Sequence, residues 1–258
     1  KNIIKKKKIN VIFHTGAMTQ VLDALKNPYK TYKNNIMGTI NILECIRHES
    51  PNTLFIYSSS DKAYGEIKKR NYLETDNLNS IYPYDLSKTC SDLICQSYNK
   101  VYNLSVAVVR CGNLYGPGDF NKNRIFPETI LSTIQNKRLK IRSSGKLVRD
   151  YLYVDDAVNA YYMIMNALKK KKNKMLIYNV GSKDNLSVVK LVKLIHRSMN
   201  KNNLKPQILN KSKQEIKFQK LNDSKIRKEL GWKQKISINL GIKNTINWYK
   251  KNYSLFKK

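Results

Sequence analysis

Short apolar runs alternate along the chain with longer stretches in which apolar positions recur every three or four residues. Residues 10–13 (Asn-Val-Ile-Phe), 53–57 (Thr-Leu-Phe-Ile-Tyr), 105–109 (Ser-Val-Ala-Val-Val) and 176–181 are brief, rich in β-branched and aromatic side chains, and predict buried strands. Residues 31–47 place Ile36, Ile40, Leu43 and Ile46 on one side and predict a helix. Asn27-Pro28 punctuates before it. After Pro83, which suits the first turn of a helix, Tyr84, Lys88, Cys95 and Tyr98 fall at helical spacings. Residues 157–168, 188–199 and 240–249 read as further helices. Strands separated by helices predict a parallel sheet and an α/β, doubly wound architecture.

Candidate chemistry gathers at the ends of these strands. The run 53–57 leads into Ser58-Ser59-Ser60-Asp61-Lys62, at the carboxyl end where open α/β sheets place ligands. Tyr84 and Lys88, four apart, share a helix face; a nearby ammonium favours phenolate and makes tyrosine a usable base. An amphipathic helix with one exposed Lys and one half-buried Tyr has the same spacing, and the serine-ended strand upstream is what raises the catalytic reading above it. His14-Thr15-Gly16-Ala17 is either a tight strand-to-helix turn or a place where backbone approaches a ligand closely. The stretch 110–119 holds three glycines after a strand but lacks Gly-x-Gly-x-x-Gly spacing, so it is weak as a phosphate loop. Gly38 inside a helix costs about 1 kcal/mol relative to Ala, which close packing against a neighbouring strand would explain.

Composition changes the picture in one respect. At 258 residues and 41% hydrophobic the chain can bury a full core, but its formal charge is +31. Such a charge suits nucleic acid, an anionic membrane or an anionic substrate. The excess is lysine scattered through every segment among abundant Asn, Ile and Tyr, the pattern of a background spread over solvated faces. Five of nine arginines (Arg110, Arg124, Arg138, Arg142, Arg149) fall in one stretch, as a diphosphate site would need. Cys45, Cys90, Cys95 and Cys111 form no Cys-x-x-Cys pair and no histidines cluster with them, so no metal site is expected and reduced thiols in a cytoplasmic protein are. No apolar run approaches the ~20 residues of a membrane span. The basic start at 5–8, followed by an apolar run that His14 interrupts, reads as the end of a solvated helix or loop, not a signal peptide. Residues 169–174 read as a solvated connector.

Ser60, Tyr84 and Lys88 in this arrangement resemble the extended short-chain dehydrogenase/reductase family, the NAD-dependent nucleotide-sugar epimerases and dehydratases. The run Asn35-Ile36-Met37-Gly38-Thr39-Ile40-Asn41 is similar to the family's Asn-Val-x-Gly-Thr-x-Asn, and Arg110-Cys111-Gly112-Asn113-Leu114-Tyr115-Gly116-Pro117-Gly118 to its Arg-x-x-Asn-x-Tyr-Gly-Pro-Gly loop. Arg149-Asp150 through Asp156 is similar to its Arg-Asp-x-x-x-Val-x-Asp segment. Asp61 after Ser60 resembles the dehydratase branch; Lys62 in place of Glu, and residues 120–127, resemble its CDP-glucose 4,6-dehydratase type. The likeness runs from about residue 10 to 249.

That resemblance implies a doubly wound Rossmann fold with a small C-terminal α/β substrate-binding part, a single unit divided near 1–115 and 116–258. It implies NAD as cofactor, touched by Gly16, Ala17, Asn35, Tyr84 and Lys88. Ser60, Asp61, Lys62, Tyr84 and Lys88 would be catalytic, and Asn113, Arg124 and Arg149 would bind a nucleotide sugar, with Arg149 on the diphosphate. It also implies a homodimer that binds neither nucleic acid nor membrane. Asp156 is expected to be structural. The family's first strand and Gly-rich turn have no counterpart before residue 10, so a truncation of about 60 residues, two βαβ units, is expected. A 4-epimerase using the same Ser60, Tyr84 and Lys88, a basic nucleic-acid-binding protein and an inactive remnant are the rival readings.

Overall fold

The computed structural model describes residues 2–67, 70–171, 173–211 and 216–257. Lys172, in the expected connector, lies outside them. The first half of the chain runs α1 (Asn2–Lys7), β1 (Val11–His14), α2 (Val21–Lys26), α3 (Pro28–Tyr32), α4 (Gly38–Glu49), β2 (Leu54–Ser60), α5 (Pro83–Tyr102) and β3 (Val106–Cys111). It continues through β4 (Asn113–Tyr115), α6 (Ile125–Ile134), β5 (Lys140–Ile141), β6 (Val148–Tyr153), α7 (Val154–Lys170) and β7 (Met175–Val180). The remainder is β8 (Asn185–Ser187), α8 (Val188–Ser198), β9 (Gln207–Ile208), α9 (Ser224–Leu230) and α10 (Ile238–Lys251).

Two compact units result, and they are interleaved in sequence. The first comprises residues 1–111, 159–180 and 221–232; the second comprises 112–158, 181–220 and 233–258. Where the sequence suggests contiguous parts meeting near residue 115, the later segments β7 and α9 return to the first unit. β7 returns because it is the next parallel partner of β3, with Val106 opposite Met175 and Cys111 opposite Val180.

The first unit is a four-stranded parallel sheet in the order β1-β2-β3-β7, flanked by helices. All six residues of β3 are buried, as a central parallel strand requires. Phe55, Tyr57, Val106 and Val108 from the sheet pack against Leu43 and Ile46 of α4 and Cys95 of α5. The helix expected over 31–47 is interrupted: α3 ends at Tyr32, and Lys33–Met37 is a π-helical turn before α4. At Gly38 an added Cβ would meet nothing within 4 Å, so close packing does not account for this glycine. The start 5–8 falls at the end of helix α1, and Lys169 and Lys170 close α7 instead of lying in a loop.

The second unit contains a three-stranded sheet, β4-β6-β8, parallel between β4 and β6 and antiparallel between β6 and β8. Its core joins Tyr115 and Tyr153 of the sheet to Phe126 of α6, Ile195 of α8 and Ile242 of α10. Tyr115 stacks on Phe126 with centroids 4.0 Å apart. Asp156, in the first turn of α7, accepts the backbone N–H groups of Lys235 and Ile236, each at 2.9 Å, a structural role.

Candidate active site

Strand β2 ends in a capped turn. Ser60 is extended (φ −150°, ψ 156°) and N-caps a 3₁₀ turn over Asp61–Tyr64, its oxygen accepting the Lys62 N–H at 3.3 Å. The Ser60 hydroxyl donates to Asp61 Oδ1 at 3.0 Å, and Asp61 is 2% exposed. Gly65 closes the turn at φ +70°, where a Cβ would fall 2.4 Å from the Asn79 carbonyl oxygen; only glycine fits. The run of serines followed by Asp is thus a strand whose last hydroxyl is tied to the adjacent carboxylate.

Helix α5 carries the other pair. Tyr82 is extended before Pro83, which takes the first helical turn. Tyr84 and Lys88 are both buried, and the Ser87 hydroxyl donates to the Tyr84 carbonyl at 2.6 Å. Lys88 Nζ donates to the Ser58 carbonyl at 2.7 Å and sits 5.0 Å from the centre of the Tyr57 ring. Burial lowers its pKa to about 8. An ammonium has three donors, so two of those on Lys88 have no protein partner among the described residues.

Asn35 holds the neighbouring turn. Its side chain accepts the Met18 N–H at 2.7 Å and donates to the Met18 carbonyl at 3.1 Å and to the Ser87 hydroxyl at 2.8 Å. The π-helical turn, the segment after Gly16 and Ala17, and the start of α5 therefore meet at one buried amide. At Gly16, just after β1, an added Cβ would make ordinary contact with the His14 ring at 3.9 Å, so the position tolerates a side chain without a clash. His14, read in the sequence only as an interruption, lies in this corner. Thr39 spends its hydroxyl proton on the Asn35 carbonyl (2.7 Å), so His14 Nε2 must donate to Thr39 at 3.1 Å. Burial first, then the Lys88 charge, lowers the His14 pKa to about 4.

The expected substrate-binding residues belong to the second unit. Asn113 begins β4, with its amide 3.5 Å from the Asp150 carbonyl. Arg124 precedes α6 and pairs with Asp119 at 3.1 Å. Arg149 is buried on β6, the middle strand of its sheet, and Nη1 donates to the carbonyls of Ile216 (2.7 Å) and Val148 (3.0 Å). A surface arginine on an edge strand is therefore excluded. The five arginines of 110–149 have separate partners and are divided between the two units. Arg110 is buried in the first unit against Asp92, while in the second Arg142 lies 3.6 Å from Glu128 and Arg138 donates to the Lys205 carbonyl. None of the four cysteines is in a disulfide, and no group of His, Cys, Asp or Glu among the described residues could hold a metal ion.

A family model described as GDP-mannose 4,6 dehydratase matches residues 1–245. The chain belongs to this family. The dTDP-D-glucose 4,6-dehydratase of Homo sapiens is 28% identical to it over 268 residues, covering all of this chain and 73% of that protein. The UDP-glucuronate 4-epimerase of Thermodesulfobacterium geofontis is 30% identical over 258 residues, covering all of this chain and 77% of that protein. The crystal structure of dTDP-glucose 4,6-dehydratase from Bacillus anthracis in complex with NAD matches with a TM-score of 0.87 at 26% identity, over 98% of this chain and 76% of that one. Relatives thus include both 4,6-dehydratases and 4-epimerases, and the Rossmann-type α/β fold is theirs. No helix among the described residues is long and apolar enough to cross a membrane.

Proposed function

We propose that the chain carries the chemistry of an NAD-dependent nucleotide-sugar 4,6-dehydratase, converting an NDP-hexose to the NDP-4-keto-6-deoxyhexose. One observation carries the choice within the family: a buried carboxylate, Asp61, hydrogen-bonded to Ser60. Gly16 and Ala17 beside the turn after β1, and Tyr84 and the two spare donors of Lys88, would meet the nicotinamide and ribose of NAD, while Asn35, whose amide is spent on Met18 and Ser87, would hold that turn in place. NAD held there would supply the oxidation at C4 and the later reduction at C6, as acceptor and then donor of one hydride.

Tyr84 removes the proton of the C4 hydroxyl, helped by the Lys88 charge on the same helix face and by the Ser60 hydroxyl on the sugar oxygen. The resulting C4 ketone acidifies C5–H, and the family's base position is held by Lys62. Asp61 gives its proton to the departing C6 hydroxyl, which leaves as water. Asn113, Arg124 and Arg149 would hold the nucleotide and diphosphate, the arginines through charge-assisted bonds. A homodimer in the cytoplasm is part of the same proposal, supported by the exposed Leu93 and Val101 on α5 and by four cysteines that form no disulfide.

A 4-epimerase is the second reading, favoured by the 30% identity to the UDP-glucuronate enzyme; it needs Ser60, Tyr84 and Lys88 but no acid at C6. Mass spectrometry after incubation with NAD and dTDP-, UDP-, CDP- or GDP-hexose separates them. Loss of one water is expected. An isobaric product would leave the epimerase, and unchanged substrate throughout would count against both. Asp61→Asn should retain the transient NADH absorbance while abolishing water loss.

A further inference from the structure

Asp92 lies one helical turn beyond Lys88 on α5 and is completely buried. A carboxylate in that position survives only if its lone pairs are occupied. Arg110 of β3 grips it with both arms of the guanidinium, Nε to Oδ2 at 2.9 Å and Nη2 to Oδ1 at 3.0 Å. Ser59 donates to Oδ2 at 2.7 Å, and the Gln96 amide to Oδ1 at 2.8 Å. The remaining arm, Nη1 of Arg110, donates to the Tyr64 hydroxyl at 2.9 Å and to the Glu74 carbonyl at 3.2 Å. Tyr64 passes its own proton to Asn179 at 2.7 Å.

Three members of this network, Ser59, Tyr64 and Asp92, sit on segments that bear proposed active-site side chains. Ser59 precedes Ser60 in β2 and stands opposite Arg110 in the sheet register. Tyr64 ends the turn that begins with Asp61 and Lys62. Asp92 follows Tyr84 and Lys88 in α5. A buried ion pair is seldom the most stabilising way to fill a core, so its use here points to geometry and charge.

We propose that Asp92 and Arg110 are positioning residues for the reaction: the pair fixes β2, the 3₁₀ turn and α5 in one mutual register, and Asp92 keeps the Lys88 ammonium charged. This inference rests on the proposed function for its catalytic consequence but not for its electrostatic one. The groups facing Lys88 include His14 from β1, Tyr57 from β2, and Tyr84, Asp92 and Cys95 from α5. Burial holds the Cys95 thiol and the Tyr57 phenol neutral, and His14 loses its proton near pH 4. Asp92 is the anion among them, and its charge works against the desolvation that lowers the Lys88 pKa.

The test follows the side-chain nitrogen of Lys88 by NMR in ¹⁵N-lysine protein, assigned by its loss in Lys88→Arg, with neither cofactor nor sugar present. Asp92→Asn should raise the neutral fraction of Lys88 near pH 7 about threefold, the effect of half a pKa unit. Asp92→Glu, which keeps the charge, should restore the parent titration. If Asp92→Asn does not fold, Asp92→Asn with Arg110→Met removes both charges without leaving one unpaired, and the same shift is expected. In turnover, Asp92→Asn should lower kcat at least tenfold with KM for the nucleotide sugar within twofold, as misplacement of reacting groups does. An unmoved Lys88 titration in both charge-removing proteins would overturn the proposal. So would an equal shift in Asp92→Glu, or a rise in KM at constant kcat. Absence of turnover in the parent would sink the functional proposal alone, since the NMR titration needs no catalysis.

Discussion

Two buried bases share the wall formed by Tyr57, with the Lys88 ammonium 5.0 Å and the His14 ring 5.8 Å from its ring centre. Neither can hold its proton as it would in water, and their effects on stability fall in different pH windows. The folded-state pKa of His14, about 4, lies below its ordinary 6.5, so between those values the unfolded chain binds more protons than the folded one. Stability therefore rises with pH across that window, and the cost of burying His14 is present in full below pH 4. Against His14→Gln, which does not titrate, the parent should gain about 1–2 kcal/mol between pH 4 and 7, a figure reduced for partial solvent access. Urea unfolding of the two proteins at pH 4, 5.5 and 7 measures it, and a constant difference would refute the assignment. Lys88 behaves alike at higher pH: its burial cost persists up to about pH 8 and fades toward 10.5. Its charge, which the proposed mechanism requires beside Tyr84, is lost as pH rises through 8, so turnover should decline there.

At the scale of elements, Asn35 shows what the sequence could and could not disclose. The strands were legible because parallel strands buried on both faces are continuous apolar runs, and β2 and β3 have that form. Helix α5 was legible from its Pro start and its spacing. The break at Lys33–Met37 was not, because periodicity across 31–47 stays helical while the extra residue of a π turn is set by tertiary bonds from Asn35 to Met18 and Ser87. Ser60, Asp61, Tyr84 and Lys88 could be named as chemistry-bearing residues from one stretch, since strand end and helix start are neighbours in sequence. Arg110 was grouped with the wrong arginines because its partner, Asp92, lies 18 positions upstream on another element. Nothing in a one-dimensional pattern says which way a strand arginine points. Asn35→Ala removes three bonds at once and leaves the Met18 N–H and the Ser87 hydroxyl short of a partner. A cost of about 2–4 kcal/mol is expected from the unsatisfied groups. Faster amide exchange should be confined to the turn after β1, the π turn and the first turn of α5. Uniformly faster exchange would show that Asn35 is an ordinary core residue and not the joint between them.

For the molecule as a whole, the formal charge of +31 has to be reconciled with the function proposed for it, which is directed at a small anion. Among the described residues, only Lys88, Arg110 and Arg149 are buried lysines or arginines. The first two are bound into the network around α5, and Arg149 is set in the middle of the second unit's sheet. The other described basic side chains are at least partly solvated, where salt screens them over about 8–10 Å, whereas buried charges are screened much less. Affinity for a polyanion through the solvated lysines would rest on released counterions and fall steeply with salt. Affinity for a nucleotide sugar through Arg149 would not. Raising salt from 50 to 200 mM should therefore weaken binding of a short DNA duplex by at least about 100-fold, yet weaken a nucleotide sugar no more than a few-fold. Arg149→Ala should raise the dissociation constant of the sugar nucleotide at both salt concentrations and leave the DNA titration unchanged. DNA binding that, despite this fall, remains tight at 200 mM salt would favour the nucleic-acid reading, and a nucleotide-sugar affinity indifferent to Arg149 would remove Arg149 from the diphosphate.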